Sequence, residues 1–133
     1  MASAFTEQLE QLEAGGTHKY LEGSLHGIER EGLRVDSAGT LSLAPHPQAL
    51  GSALTNPYIT TDFSESLLEF ITPVFKNPAS ALEFLENLQK FTNAHLDEEL
   101  LWAGSMPCHI PDASVIPIAR YGTSHQGRIK HIY

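Results

Sequence analysis

The chain has 133 residues, 41% of them hydrophobic and 18% charged, with a formal net charge of -8 and a single cysteine, Cys108. This length allows one hydrophobic core, and the acidic balance argues against a nucleic-acid partner, whose phosphates need a basic surface. Because no apolar run approaches the ~20 residues of a membrane span, no signal segment follows Met1 and a lone cysteine fits a reducing compartment, we expect a cytoplasmic protein without membrane segments.

The first predicted element is a short amphipathic helix near the N-terminus. Phe5, Leu9 and Leu12 recur at helical spacing, and Gly15-Gly16 would end the helix. We expect the apolar stripe of this helix to pack into the core.

A strand rich in charged residues is predicted over 27–35. Its period of two places Glu29 and Glu31 on one face and Arg30 and Arg34 on the other. At ~3.3 Å rise per residue the two carboxylates are roughly 6 to 7 Å apart at the backbone, which allows both to converge on a cation. They could equally be exposed acids in water, where acidic side chains are mostly found.

A turn follows this strand at 36–39. Its sequence is Asp-Ser-Ala-Gly, in which Gly39 is free to take positive φ. The turn predicts a hairpin over about 27–44.

One acid, Glu69, interrupts an apolar stretch. Residues 67–74 predict a strand with both faces largely covered, closed by Pro73. Glu69 would then be buried, and a buried carboxylate protonates, pairs with a base or coordinates a metal. No Lys or Arg lies in 59–74, so the cation must come from elsewhere. Oxygen ligands of this kind suit magnesium or manganese.

A long helix is predicted to begin at Asn77-Pro78. We expect an ordered loop over 101–111 and another strand over 115–121. These elements predict an α+β fold, with an antiparallel sheet and helices packed against one side. One face of the long helix is expected to carry Ala81, Leu82, Leu85, Leu88, Thr92, His95 and Leu96.

Several blocks of this chain occur in an order and spacing that resemble a known family. They are Gly27 to Val35, Ala49 to Thr55, the run 59–74, Ser105 to Cys108 and Tyr121 to Ser124. Together, over about residues 25–133, they resemble the N-terminal part of glutamate-cysteine ligase of the proteobacterial type. Members of that family are several times longer than this chain.

The resemblance implies an ATP-dependent ligase that joins the γ-carboxyl of glutamate to cysteine through a γ-glutamyl phosphate. The product would be γ-glutamylcysteine, in the first step of glutathione biosynthesis. The fold implied is the opening portion of a glutamine-synthetase-like carboxylate-amine ligase. Residues 1–133 would be the N-terminal part of a single catalytic domain, truncated at its C-terminal side. Its partners would be glutamate, cysteine, ATP and the rest of that domain.

The resemblance also implies site residues. Magnesium or manganese ions would organise the ATP phosphates, and the cysteine pocket would include Phe63 and Tyr133. The residues alone favour Phe63 as a core side chain, because a phenylalanine in a strand usually packs. No residue is assigned as nucleophile or base, and further family ligands lie beyond the position of Tyr133, so we expect the isolated chain to be inactive. The implied metal ligands are Glu29, Glu31, Asp62 and Glu69.

Two alternatives to the ligase remain open at this point. The first is a non-catalytic module that binds metal, nucleotide or amino acid and retains only the start of the fold. The second is a structural module in which the acids lie in water or pair with Arg30, Arg34 or Arg120.

Overall fold

The computed structural model describes residues 3–121, apart from the side chain of His18. The elements are α1 (Ala4–Ala14), β1 (Glu29–Val35), β2 (Ile59–Thr61), β3 (Leu67–Ile71), α2 (Pro78–Asn93) and β4 (Leu100–Leu101), with short 3-10 turns at Thr17–Tyr20, Gln48–Leu50 and Ala113–Val115. The four strands form one antiparallel sheet in the order β2-β3-β1-β4. The expected α+β class with an antiparallel sheet is confirmed.

Only one face of the sheet is covered by the main core. In β3, Leu68 and Phe70 are fully buried, while Leu67, Glu69 and Ile71 on the other face are half-buried. The prediction that both faces of 67–74 are covered is therefore wrong, because α2 packs against one face and an antiparallel sheet can leave the other open. The main core consists of Leu50, Ile59, Leu68, Phe70, Leu85 and Leu96.

A second, smaller hydrophobic cluster lies at the turn end of β1. It consists of Val35, Leu41 and Cys108. Burial raises the pKa of the Cys108 thiol, which suits a packed side chain rather than a nucleophile.

Helix α1 forms where the periodicity predicts it, but it does not join the core. The side chain of Ser3 accepts a hydrogen bond from the Thr6 amide, and the helix ends at Gly15. None of its residues is buried, and Phe5 is 68% exposed. The expected core packing of this helix is wrong, because its main contact is with the short 3-10 turn that follows it.

The hairpin after β1 is shorter than predicted. The Asp36 carboxylate accepts hydrogen bonds from the amides of Ala38 and Thr40, each at 2.9 Å, and Gly39 has φ +79° as expected. The returning arm pairs with β1 at a single bridge between Val35 and Leu41. The turn prediction is confirmed, and the second strand of the predicted hairpin is not formed.

Helix α2 begins as predicted, with the Asn77 side chain accepting a hydrogen bond from the Ala79 amide at 2.9 Å. Two details of its apolar face are wrong. Leu82 is 58% exposed, because it lies about 100° around the helix from the buried Ala81. His95 lies beyond the helix end, which comes at Asn93. Neither α1 nor α2 has the length and apolar character that crossing a membrane requires.

Residues 115–121 do not form the predicted strand. They approach the turn between β2 and β3 through one bridge, between Ser64 and Ile118. The carbonyl of Pro117 accepts a hydrogen bond from the Glu65 amide at 2.8 Å. Because proline has no N–H, this segment cannot continue a regular ladder.

Candidate functional site

The face of the sheet opposite α2 carries a row of acidic residues. Cross-strand partners in an antiparallel ladder project from the same face. The register places Glu31 of β1 opposite Glu69 of β3, and Glu69 opposite Thr60 of β2. Glu29 lies two residues from Glu31 on the same face, opposite Ile71. Three adjacent strands therefore contribute oxygen-bearing side chains to one surface.

Asp62 extends this surface at the end of β2. Its amide donates a hydrogen bond to the Leu67 carbonyl at 3.0 Å, so the β2–β3 register continues for one more residue. Asp62 is two residues beyond Thr60 and, by the period of two, belongs to the same face. The structure thus brings Glu29, Glu31, Asp62 and Glu69 to a single face of the sheet.

The four acids differ from one another in burial. Glu29 and Glu31 are exposed, and Asp62 and Glu69 are half-buried. The prediction that Glu69 is a buried carboxylate is wrong, because its face of β3 is the open one. Among residues 3–121, no three acidic, histidine or cysteine side chains lie close enough together to hold a metal ion by themselves.

The chemistry of this face nevertheless fits a hard cation. Every candidate ligand is a carboxylate, and oxygen ligands are those that magnesium and manganese prefer. Two carboxylates directly opposite each other in a ladder repel, and a cation between Glu31 and Glu69 would remove that repulsion. The residues present therefore suit part of a magnesium or manganese site that needs further ligands.

A cleft of about 520 Å³ adjoins the acid row near β4. Glu31, Leu33 and Leu67 form its sheet side, and residues 102–107 form the opposite wall. The wall is held in shape by the Trp102 indole, whose Nε1 donates to the Met106 carbonyl at 2.7 Å. A ligand in this cleft would contact both apolar side chains and a carboxylate.

The structure describes one of the two residues implied for the cysteine pocket. Phe63 follows Asp62 and is 49% exposed, so the alternative that Phe63 is a core side chain is wrong. Its carbonyl accepts a hydrogen bond from the Ala119 amide at 2.9 Å, which fixes its backbone. Tyr133 lies outside the described residues.

Among the acids of residues 3–121, the buried one is Glu65, which is 3% exposed. Its Oε1 accepts a hydrogen bond from the His46 amide at 2.9 Å, and its Oε2 accepts one from the Arg120 amide at 2.6 Å. Two charge-assisted hydrogen bonds of this kind stabilise a buried carboxylate. Sequence reasoning missed Glu65 because an acid between two serines is ordinarily exposed in a turn.

Arg34 is fully buried on the face opposite the acids. Its Nη1 donates to the Glu99 carboxylate at 2.6 Å, and its Nη2 donates to the carbonyls of Ala44 and Glu65 at 2.7 and 3.0 Å. The Ser42 hydroxyl donates to the other oxygen of Glu99. The alternative that Arg34 pairs with Glu29, Glu31 or Glu69 is therefore wrong.

The charges of both the Arg34 guanidinium and the Glu65 carboxylate act on His46. It lines two open clefts, of about 610 and 430 Å³. Burial and, to a lesser extent, the positive charge of Arg34 lower the pKa of His46, while Glu65 and the main chain of Gly51 act weakly in the opposite direction. Neither ring nitrogen makes a hydrogen bond within the part of the chain that the structure describes. This environment favours the neutral imidazole.

The sequence matches known proteins along its whole length. A family model described as glutamate-cysteine ligase matches residues 9–133. A glutamate-cysteine ligase of Janthinobacterium sp. (strain Marseille) is 58% identical over 133 residues, and that of Azotobacter vinelandii is 56% identical. In both cases the alignment covers 100% of this chain and 25% of the relative. The chain therefore spans about a quarter of the length of these curated relatives.

The fold matches solved structures as well. A crystal structure of a glutamate-cysteine ligase from Francisella tularensis, in complex with AMP, superimposes with a TM-score of 0.77 and 42% identity. That match covers 82% of this chain and 22% of the Francisella chain. A bifunctional glutathione synthetase from Pasteurella multocida gives a TM-score of 0.72 with 28% identity, and the match covers 92% of this chain and 16% of the other.

Proposed function

The chain belongs to the glutamate-cysteine ligase family, and we propose that it forms part of the active site of an ATP-dependent glutamate-cysteine ligase. The reaction phosphorylates the γ-carboxylate of glutamate with ATP and releases ADP. The amine of cysteine then displaces phosphate from the acyl phosphate to give γ-glutamylcysteine. Residues 1–133 would be the N-terminal part of one catalytic domain of a cytoplasmic enzyme in glutathione biosynthesis.

The direct opposition of Glu31 and Glu69 carries this proposal. Like charges on directly opposite residues of a ladder are unfavourable, and a cation bound to both carboxylates offsets that cost. We assign a magnesium or manganese ion to the face that holds them, with Glu29, Glu31, Asp62 and Glu69 as ligands. When bound, the ion would neutralise charge on the phosphates of ATP, which is most of what phosphoryl transfer requires.

Besides supplying these ligands, the chain positions them. Strands β1 and β3 hold Glu31 and Glu69 at a fixed spacing, and the core beneath them, packed on α2, keeps the sheet rigid. The AMP bound by the Francisella relative supports a nucleotide as one ligand. We assign Phe63 and Tyr133 to the cysteine pocket, and the exposure of Phe63 beside Asp62 supports its part in that assignment.

The test uses the complete protein that the gene encodes. We expect ADP release that depends on both glutamate and cysteine, with γ-glutamylcysteine identified by mass. Glu31→Gln and Glu69→Gln should weaken Mn²⁺ binding, measured by electron paramagnetic resonance, by at least about tenfold. The matched control is Glu83→Gln, on the exposed side of α2, which should bind Mn²⁺ as the unaltered protein does.

Two outcomes would contradict the proposal in different ways. Unchanged Mn²⁺ affinity in Glu31→Gln and Glu69→Gln would remove the metal assignment. Binding of Mn²⁺ and ATP without any γ-glutamylcysteine would instead favour the non-catalytic binding module.

A further inference from the structure

Glu65 occupies the turn that joins two strands of the acid face. Asp62 comes directly after β2 and leads into the turn, and β3 then begins at Leu67, two residues before Glu69. Within it, the Leu67 amide donates to the Ser64 carbonyl at 3.1 Å, and the Ser66 amide donates to the Ser64 hydroxyl at 3.1 Å. Both hydrogen bonds lie within the turn and do not connect it to the rest of the fold.

Glu65 connects the turn to the rest of the fold through both its carboxylate and its main chain. Its carboxylate accepts hydrogen bonds from the amides of His46 and Arg120, at 2.9 and 2.6 Å. Its own amide donates to the Pro117 carbonyl at 2.8 Å, and its carbonyl accepts from the Arg34 guanidinium at 3.0 Å. One buried residue thus ties the turn to β1, to the loop before Gln48 and to the segment 117–120. The turn is also connected by the Ser66 carbonyl, which accepts from the Arg34 amide at 2.8 Å, and by the Ser66 hydroxyl, which donates to the Ser42 carbonyl.

We propose that Glu65 is a positioning residue for the metal face, an inference that rests on the proposed function. The β1–β3 ladder places Glu69 opposite Glu31, and the β2–β3 turn sets where Asp62 lies relative to that pair. With the Glu65 carboxylate removed, the amides of His46 and Arg120 lose their acceptor in two partly buried hydrogen bonds. The turn would keep the contacts of Ser66 with Arg34 and Ser42 but lose its side-chain links to the loop before Gln48 and to Arg120. Asp62, at the start of the turn, would then lose its fixed position relative to the other acids.

The experiment measures the binding of Mn²⁺ alone to the complete protein by electron paramagnetic resonance. The thermal unfolding of the same variants is measured in parallel. Glu65→Gln keeps the size of the side chain but places an NH₂ group opposite a backbone N–H. We expect its Kd for Mn²⁺ to rise about tenfold, as is typical when a group supporting a metal ligand is lost. The control is Leu41→Ala in the second hydrophobic cluster, which should lower the Tm and leave the Kd unchanged.

The same titration includes Glu69→Gln, so that two failures can be told apart. If Glu69→Gln weakens Mn²⁺ binding and Glu65→Gln has the Kd of Leu41→Ala, Glu65 is only structural and the inference is overturned while the proposed function stands. If Glu69→Gln leaves the Kd unchanged, both are overturned.

A second variant covers the case in which Glu65→Gln does not fold. Glu65→Asp retains two acceptor oxygens on a shorter stem, and we expect it to fold with a Kd between those of the unaltered protein and Glu69→Gln. A Kd equal to that of the unaltered protein in Glu65→Asp would overturn the inference.

Discussion

Glu31 and Glu69 are direct partners in the β1–β3 ladder, on the face of the sheet that α2 leaves open. Like charges in this position destabilise a sheet by about 0.2 to 1 kcal/mol. Glu29, two residues away on the same face, is opposite Ile71 and has no such carboxylate partner in the ladder. Two carboxylates therefore lie on directly paired residues at the place where the cation is proposed to bind.

Glu31→Gln should have opposite effects on stability without and with metal. Without metal, the free energy of unfolding should rise by up to about 1 kcal/mol, because the repulsion from Glu69 is removed. With saturating Mg²⁺, the metal-dependent rise in Tm should be smaller than in the unaltered protein, since a ligand is missing. Chemical and thermal unfolding with and without Mg²⁺ measure both effects.

The control for that prediction is Glu29→Gln, which removes the same charge from the same strand. Because Ile71 is its partner, the metal-free gain should be absent or smaller. An equal gain in both variants would mean that net charge, rather than the Glu31–Glu69 pair, limits stability.

Two ion pairs of equal length should differ greatly in their effect on stability. Arg34–Glu99 and Lys90–Glu86 both measure 2.6 Å, but the Arg34 side chain is 0% exposed and that of Lys90 is 68% exposed. Arg34→Met should lower the free energy of unfolding by about 3 to 5 kcal/mol, because Glu99 and two buried carbonyls lose their partner. Lys90→Met should lower it by no more than about 0.5 kcal/mol. Urea unfolding of both variants is the measurement, and similar losses would contradict the buried network.

His46 should make stability depend on pH. Its pKa is lowered in the folded protein from 6.5, so the unfolded chain binds the proton more readily. The contribution of His46 is therefore fully present above pH 6.5, and it is lost as the pH falls from 6.5 through the folded pKa. His46→Gln should show a shallower loss of unfolding free energy below pH 6.5. An NMR titration of the His46 ring with a midpoint at or above 6.5 would refute this.

The two helix caps should differ in their effect on global stability. Asn77→Ala should lower the free energy of unfolding by about 1 kcal/mol, since α2 packs on the core. Ser3→Ala removes the corresponding cap of α1, whose residues are all at least partly exposed, and should leave global unfolding unchanged while amide exchange in α1 becomes faster. An equal loss of stability in the two variants would show that α1 does contribute to the cooperative core.

Local patterns were sufficient to predict most elements and the acid face. The period of two in β1 placed Glu29 and Glu31 together, and the Asn77-Pro78 pair located the start of α2. Periodicity also identified α1, but amphipathicity says only that a helix has an apolar side. It does not say whether another element covers that side, and in α1 none of the residues is buried.

The buried polar network could not be predicted, because its members come from distant parts of the chain. Nothing local distinguishes Glu65, in a turn, or Glu99, before a two-residue strand, from surface acids. Glu65 becomes buried only with the amides of His46 and Arg120 as partners, and Glu99 becomes partly buried only with Arg34. The burial of Glu69 was wrongly predicted for the related reason that an apolar strand does not reveal how many of its faces are covered.

The strand order also affects when the sheet can form during synthesis on the ribosome. Strand β1 lies between β3 and β4, both of which are synthesised after it, and Arg34 precedes Glu99 by 65 residues. At ~5 to 20 residues per second, about 3 to 13 s pass between their synthesis. During that time the central strand of the nascent chain has a guanidinium without its carboxylate. We therefore expect the sheet to be completed only after Leu101 has been synthesised, with β1 available to chaperones until then.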